Sequence, residues 1–370
     1  MKKITSLEYN TMIWFIIKAG FAEITITAII NAIKQDSLIS IILGIIIGLI
    51  PFTIYEYLKN KYPSDNYISL NKKLFKKTST LINSLIFIGC LITTICTFWV
   101  LVHFANSLYL HTTSSWVISL ILIIPIGYGA IKGLHVIGKV SLILFYISLI
   151  FNITAIIGLT NGIDINNIKP ILENNPNKIL FSALIFTAFN ISKAFFLNII
   201  SKNKITNHSS KINYLTYILT CINIINITIS TICIFGVDLA SLYEYPAFQV
   251  LKRVNILGVI DRVESILSVE GIFSIFIEMT IVTYYGKEII TQTFKLKEKT
   301  NKYVIIPICL ITVLISNLIF KNHELGEQIF THYLIYIIFL LFIFLPIITF
   351  LKSLYNTKII KSKNNSTTNY

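Results

Sequence analysis

The chain has 370 residues, 55% of them hydrophobic and only 13% charged, with a mean hydropathy of +0.75. A soluble domain carries about 25% charged residues, so this composition excludes an ordinary water-facing globule. The formal charge of +14 invites a nucleic-acid reading, but the lysines sit in short segments between apolar runs, where they set orientation in a membrane. No nucleic-acid partner is expected.

Runs of about 20 apolar residues, enough to cross the hydrocarbon, recur along the whole chain. They predict an all-α integral membrane protein of about ten transmembrane helices. The N-terminal MKKITSLEYN leads into the first run, 9–33. That run exceeds a signal-peptide h-region and lacks a small-residue cleavage site, so it reads as a retained helix. The others are 38–58, 80–104, 114–131, 140–160, 178–200, 212–237, 266–290, 304–320 and 331–351. In the second, Gly44 and Gly48 form a small-xxx-small face for close packing. Between the second and third, NYISLNKKLFKKT (66–78) sets Ile68, Leu70, Leu74 and Phe75 beside four lysines. This predicts an interfacial amphipathic helix attracted to anionic membrane lipid. Pro51, Pro125, Pro307 and Pro346 kink or bound helices. The whole reads as a single transmembrane domain over 1–360 with a disordered polar tail at 361–370.

Basic residues orient the bundle. Lys2 and Lys3, the six lysines between 59 and 77, Lys132 and Lys139, the three between 202 and 211, the five between 287 and 302 and the four from Lys352 onward share one side. The other side holds Lys34, Lys169, Lys178, Lys252, Arg253, Arg262 and Lys321. The excess is about threefold, which puts both termini in the cytoplasm. Lys18 and Lys193 remain inside spans.

Ten spans divide into two fives, 9–160 and 178–351, and because five is odd the second half crosses the membrane in the opposite sense. In such inverted repeats the binding site lies where the first helix of each half is interrupted near the midplane. Span one carries Lys18-Ala19-Gly20-Phe21-Ala22-Glu23 and span six carries Ala188-Phe189-Asn190-Ile191-Ser192-Lys193. A charge at mid-bilayer costs about 2.5–3.5 kcal/mol on insertion scales, so it needs a partner or water. Lys18 and Glu23 stand about 140° apart around a regular helix and need counter-charges from neighbours. Span eight offers them, since Glu270, Ser274 and Glu278 recur every four residues on one face. Glu270 is expected near the outer interface and Glu278 near the middle. The reading is a polar cavity between spans one, six and eight. Its lining would be Lys18, Gly20, Phe21, Glu23, Ala188, Phe189, Asn190, Ser192, Lys193, Ser274 and Glu278, with Lys193 and Glu278 as the leading charge pair. The alternative for Lys18 and Lys193 is that each snorkels to the cytoplasmic interface.

The histidines (103, 111, 135, 208, 323 and 332) share no spacing, and the five cysteines (90, 96, 221, 233 and 309) lie inside apolar runs. No metal site, disulfide framework or cofactor is expected. Neither a phosphate loop nor a nucleophile elbow occurs, so no enzyme activity is expected.

At GVDLASLYEYPAFQVLKRVNILGVIDRVESI (236–266) the sequence resembles the GerAB family of spore germination proteins, the permease-like B subunits of GerA-type germinant receptors. These belong to the amino acid–polyamine–organocation superfamily. IKGLHVIGKV (131–140), NIKPILENN (167–175) and LGIIIGLIPFTIYEYLKNKYP (43–63) are similar to the same family, so the resemblance covers nearly the full chain. It implies a LeuT-like fold, location in the spore inner membrane, and a complex with a larger membrane A subunit and a lipoprotein C subunit. It also implies a small-molecule germinant, often an amino acid, bound in a mid-membrane pocket. The family's unwound regions fall on 18–23 and 188–193. One departure stands out: the family's Phe-Gly-Glu element in span six is here Phe189 followed by Asn190 and Ile191. The missing glycine leaves less freedom to unwind, and the missing carboxylate removes a partner for a cationic ligand group. Lys193, one turn on, favours an anionic group instead. Two other roles remain open: an active secondary transporter with Glu23 or Glu278 carrying protons or helping to hold a cation, and a scaffold subunit with a vestigial pocket.

Overall fold

A computed structural model describes residues 3–20, 25–253, 269–297, 301–319, 326 and 328–367. Helices α1 (Ser6–Gly20) and α2 (Ile26–Ile33) occupy the first apolar run, and α3 (Ser37–Lys61) the second. After the short α4 (Tyr67–Phe75) come α5 (Ser79–Leu108), α6 (Ser115–Lys132) and α7 (Leu134–Leu159). The sixth run begins as α8 (Pro176–Phe186). Next are α9 (Ser210–Leu242), the short α10 (Pro246–Leu251), α11 (Val269–Phe294) and α12 (Ile305–Ile319). Mixed π and α turns from Ile329 lead into α13 (Leu345–Thr367), which carries helix into the stretch assigned to the tail. The protein is therefore an all-α, multi-pass membrane protein.

Seven helical stretches among the described residues are long and apolar enough to cross a bilayer, and 302–318 is a shorter apolar helix. The number falls below ten for physical reasons. The stretch 26–61 joins α2 to α3, α1 stops after 15 residues, and Glu270 and Glu278 make α11 less apolar. Each of the ten predicted runs nevertheless carries helix among the described residues.

Burial separates the centre from the rim. In the most apolar window of the sixth run 83% of residues are buried, against 11% for α7. Ile143, Ile150 and Ile157 of α7 and Ile121 and Ile124 of α6 point outward, as side chains facing lipid do. The sixth run thus threads the core, with α3 laid along it. Gly44 and Gly48 make that contact possible. A Cβ on Gly44 would stand 2.7 Å from the Ala183 carbonyl oxygen, and one on Gly48 would stand 2.6 Å from Ile191 Cγ1. The small-residue face is used for packing.

At the lysine-rich end, β1 (Ile4–Thr5) pairs in parallel with β2 (Ile205–Thr206). Thr5 and Glu8 then form a capping box at the start of α1. Glu8 Oε2 accepts from Thr5 N at 2.8 Å, and Thr5 Oγ1 accepts from Glu8 N at 3.2 Å. The amphipathic helix expected at 66–78 is present as α4, capped by Asn66 Oδ1, which accepts from Ser69 N at 2.9 Å. Its apolar face is directed inward, however. Tyr67, Ile68 and Leu70 are buried, Tyr67 against Phe195 and Thr349. Protein takes the face that a lone amphipathic helix would give to lipid.

Candidate functional site

The two predicted interruptions meet. Helix α1 ends at Gly20 and α2 begins at Ile26, with Thr25 Oγ1 donating to the Gly20 carbonyl at 2.6 Å. Phe21 and Glu23, expected in the cavity, lie outside the described residues. Gly20 faces the sixth run so closely that a Cβ there would stand 2.0 Å from the Phe189 carbonyl oxygen and 3.2 Å from Asn190 Oδ1. Only glycine permits that approach.

The sixth run is not unwound at 188–193, contrary to the family-based expectation. After α8 it widens into a π turn over Thr187–Ile191 and then tightens into a 3₁₀ stretch over Ser192–Ile199. Such changes of pitch shift the backbone hydrogen-bond pattern and recur at functional sites. Without a glycine the chain alters its pitch rather than opening. Carbonyls disturbed by the change find side-chain donors, as a membrane interior requires. Thr187 Oγ1 donates to Ala183 O at 3.0 Å, Asn190 Nδ2 to Phe186 O at 3.1 Å, and Ser192 Oγ to Ala188 O. From α3, Tyr55 OH reaches Ser192 O at 3.5 Å and Lys59 Nζ donates to Leu197 O at 3.1 Å. Ser192 is therefore occupied locally. Asn190 is not fully satisfied: it is completely buried, and its Oδ1 has no hydrogen-bond partner among the described residues. Ala188 is likewise buried, and Phe189 is 4% exposed.

Both intramembrane lysines are paired. Lys193 Nζ lies 2.9 Å from each carboxylate oxygen of Glu278, the pair proposed from the sequence. Lys18, 3% exposed, pairs with Glu270. Neither lysine snorkels, and Glu270 is not an isolated interfacial carboxylate. Its Oε1 also accepts from Ser148 Oγ and, at 2.8 Å, from Asn152 Nδ2. Asn152 Oδ1 in turn accepts from Asn223 Nδ2 at 2.7 Å and faces Lys18 Nζ at 3.4 Å. This network joins α1, α7, α9 and α11. Ser274 lies between the two glutamates on α11, its Oγ donating to Glu270 O at 3.2 Å. Because Glu278 compensates Lys193, that lysine no longer argues for an anionic ligand group.

Sequence reasoning missed Ser148, Asn152, Asn223 and the Lys18–Glu270 pair. A signal existed, since Ser148 and Asn152 are polar residues four apart in an apolar span, and so share a helix face. Pairing them with Glu270 needs the arrangement of the helices. Among the described residues no group of three metal-ligating side chains comes together.

The sequence profile of the family described as spore germination protein matches residues 3–325. The chain belongs to the spore germination protein family. It is similar to spore germination protein YndE of Bacillus subtilis (strain 168), with 24% identity over 313 residues, covering 83% of this chain and 85% of that protein. This is a membrane protein of a permease-type germination family, and that family is not a known enzyme family.

Proposed function

We propose that this member of the family is the germinant-sensing B subunit of a spore germinant receptor. It would reside in the spore inner membrane with both termini in the cytoplasm, alongside a membrane A subunit and a lipoprotein C subunit. Its ligand is a small germinant, an amino acid or similar, held between the interrupted first and sixth spans of a 5+5 inverted repeat. The carrying observation is the close approach of Gly20 to Phe189 beside buried Asn190 Oδ1, which has no hydrogen-bond partner among the described residues. A buried acceptor without a donor is costly, and an ammonium, amide or hydroxyl group of a ligand supplies one. Lys18, Gly20, Phe21, Glu23, Ala188, Phe189, Asn190, Ser192, Lys193, Ser274 and Glu278 form or border this site in the proposal.

Glu270 and Glu278 are both on α11 and hold spans one and six respectively. A solute that favours one arrangement of the interrupted spans shifts the population by its differential affinity for the two states. Partner subunits read that shift through α11.

The test is germination of a deletion strain, and of the strain complemented with the wild-type chain, against amino acids, nucleosides, sugars and bile salts. Selective loss of response to one class on deletion, restored by complementation, names the ligand class. An unchanged response to every class rejects the receptor reading. Solute uptake by the purified protein alone in liposomes would favour the transporter instead.

A further inference from the structure

The lysine-rich end carries a second site, independent of the germinant reading. An open cleft of about 570 Å³ is lined by Lys3, Lys202, Asn203, Thr206, Asn207 and His208. It lies along the β1–β2 pairing, in which Ile4 stands opposite Ile205 and Thr5 opposite Thr206. This pairing brings the segment that carries Lys3 beside the one that carries Lys202.

No ion pair involves Lys3 or Lys202 among the described residues. Two carboxylates of the flanking helices stand close by, Glu8 turned toward the start of α1 and Glu56 toward His208 in the cleft wall. Glu8 caps α1 through Thr5 N at 2.8 Å, and Glu56, 4% exposed, faces His208 Nε2 at 3.7 Å. Asn203 and Asn207 are exposed and offer amide donors. Lys3 and Lys202 thus give the cleft a cationic wall, with Glu56 set behind His208.

The cleft's position indicates which anion. Helices α1 and α9 begin beside it, at Ser6 and Ser210, and pack side by side, with Thr216 Oγ1 donating to Asn10 Oδ1 at 2.8 Å. Within their first two turns Leu7, Ile212 and Leu215 are 50%, 46% and 54% exposed. Cationic groups bordered by outward apolar side chains suit a headgroup with its acyl chains, whereas a soluble anion has no use for the apolar border.

We propose that this cleft binds the headgroup of an anionic glycerophospholipid. Lys3 and Lys202 contact the phosphate, Asn203 and Asn207 the polar headgroup, and the acyl chains follow Leu7, Ile212 and Leu215. Bound there, the lipid ties the start of span one to the segment leaving span six, the two spans that meet at Gly20 and Phe189.

The test is native mass spectrometry of the full-length chain in detergent, with phosphatidylglycerol, phosphatidylcholine and inorganic phosphate as separate probes. Phosphatidylglycerol is expected to bind most tightly. Lys3→Gln with Lys202→Gln weakens it roughly 10- to 30-fold, while Lys3→Arg with Lys202→Arg preserves it. Lys77→Gln with Lys139→Gln, two exposed lysines outside the cleft, leaves it unchanged. Equal losses in both glutamine pairs would reduce the effect to general surface attraction and overturn the site. Inorganic phosphate binding as tightly as the lipid, or no preference over phosphatidylcholine, would overturn the lipid assignment.

Discussion

Gly20 rests against the backbone of Phe189 so closely that a methyl group on the glycine would lie 2.0 Å from the carbonyl oxygen. Backbone, unlike a flexible side chain, cannot move aside at little cost. Gly20→Ala is therefore expected to force spans one and six apart, with overpacking of about 1–3 kcal/mol. Ala188→Leu, at a fully buried position, should act similarly. Spores carrying either variant at wild-type protein level, checked by immunoblot, should lose most of the response to the germinant found for the wild type. Normal responses from both would remove this contact from the ligand site.

The Lys193–Glu278 pair is buried on both sides, with side-chain exposures of 2% and 0%. Glu278→Gln strands a cation in the core, and a loss of about 3–5 kcal/mol is expected. Lys193→Met combined with Glu278→Leu should recover most of that, because apolar pairs of similar volume replace buried ion pairs well. Thermal unfolding in detergent of the wild type, Lys193→Met, Glu278→Leu and the double variant measures the coupling. Strictly additive losses would mean that the two groups do not act together.

The second pair is asymmetric. Without Lys18, Glu270 keeps Ser148 and Asn152 as donors; without the Glu270 charge, Lys18 keeps, among the described residues, Asn152 Oδ1 at 3.4 Å and the Trp14 ring at 5.7 Å. Glu270→Gln should destabilise more than Lys18→Met, by at least about 1 kcal/mol. The same unfolding measurement decides it, and the reverse order would contradict the network.

Close packing of α3 on the sixth run should be equally sensitive. A Cβ at Gly44 meets the Ala183 carbonyl oxygen at 2.7 Å, whereas at Gly127 it meets Cys309 Sγ at 3.1 Å. The first neighbour is backbone and the second a polarizable side-chain atom that can yield. Gly44→Ala should lower the melting temperature clearly and Gly127→Ala only slightly; comparable shifts would show that backbone proximity is not the cause.

Much of this protein was legible in its sequence because the controlling signals are local. Apolar run length marks a span whatever its neighbours, so each of the ten predicted runs carries helix among the described residues. The polar interruptions at 18–23 and 188–193, and the four-residue spacing of Glu270, Ser274 and Glu278, follow from residue type and helical period alone. So does the amphipathic pattern of 66–78. What the tertiary structure decided is which surfaces meet. It set Gly20 on Phe189, joined Lys18 to Glu270 with Ser148 and Asn152 as further donors to that carboxylate, and turned the apolar face of α4 into protein rather than lipid. It also resolved the strain of span six by a change of pitch, with donors supplied partly by Tyr55 and Lys59 of another helix. In a bilayer lipid tails and apolar side chains are nearly equivalent neighbours, so hydrophobicity tells a helix where to lie in depth but not which face its partner will cover. That choice comes from shape and from buried polar groups finding one another across spans far apart in the chain.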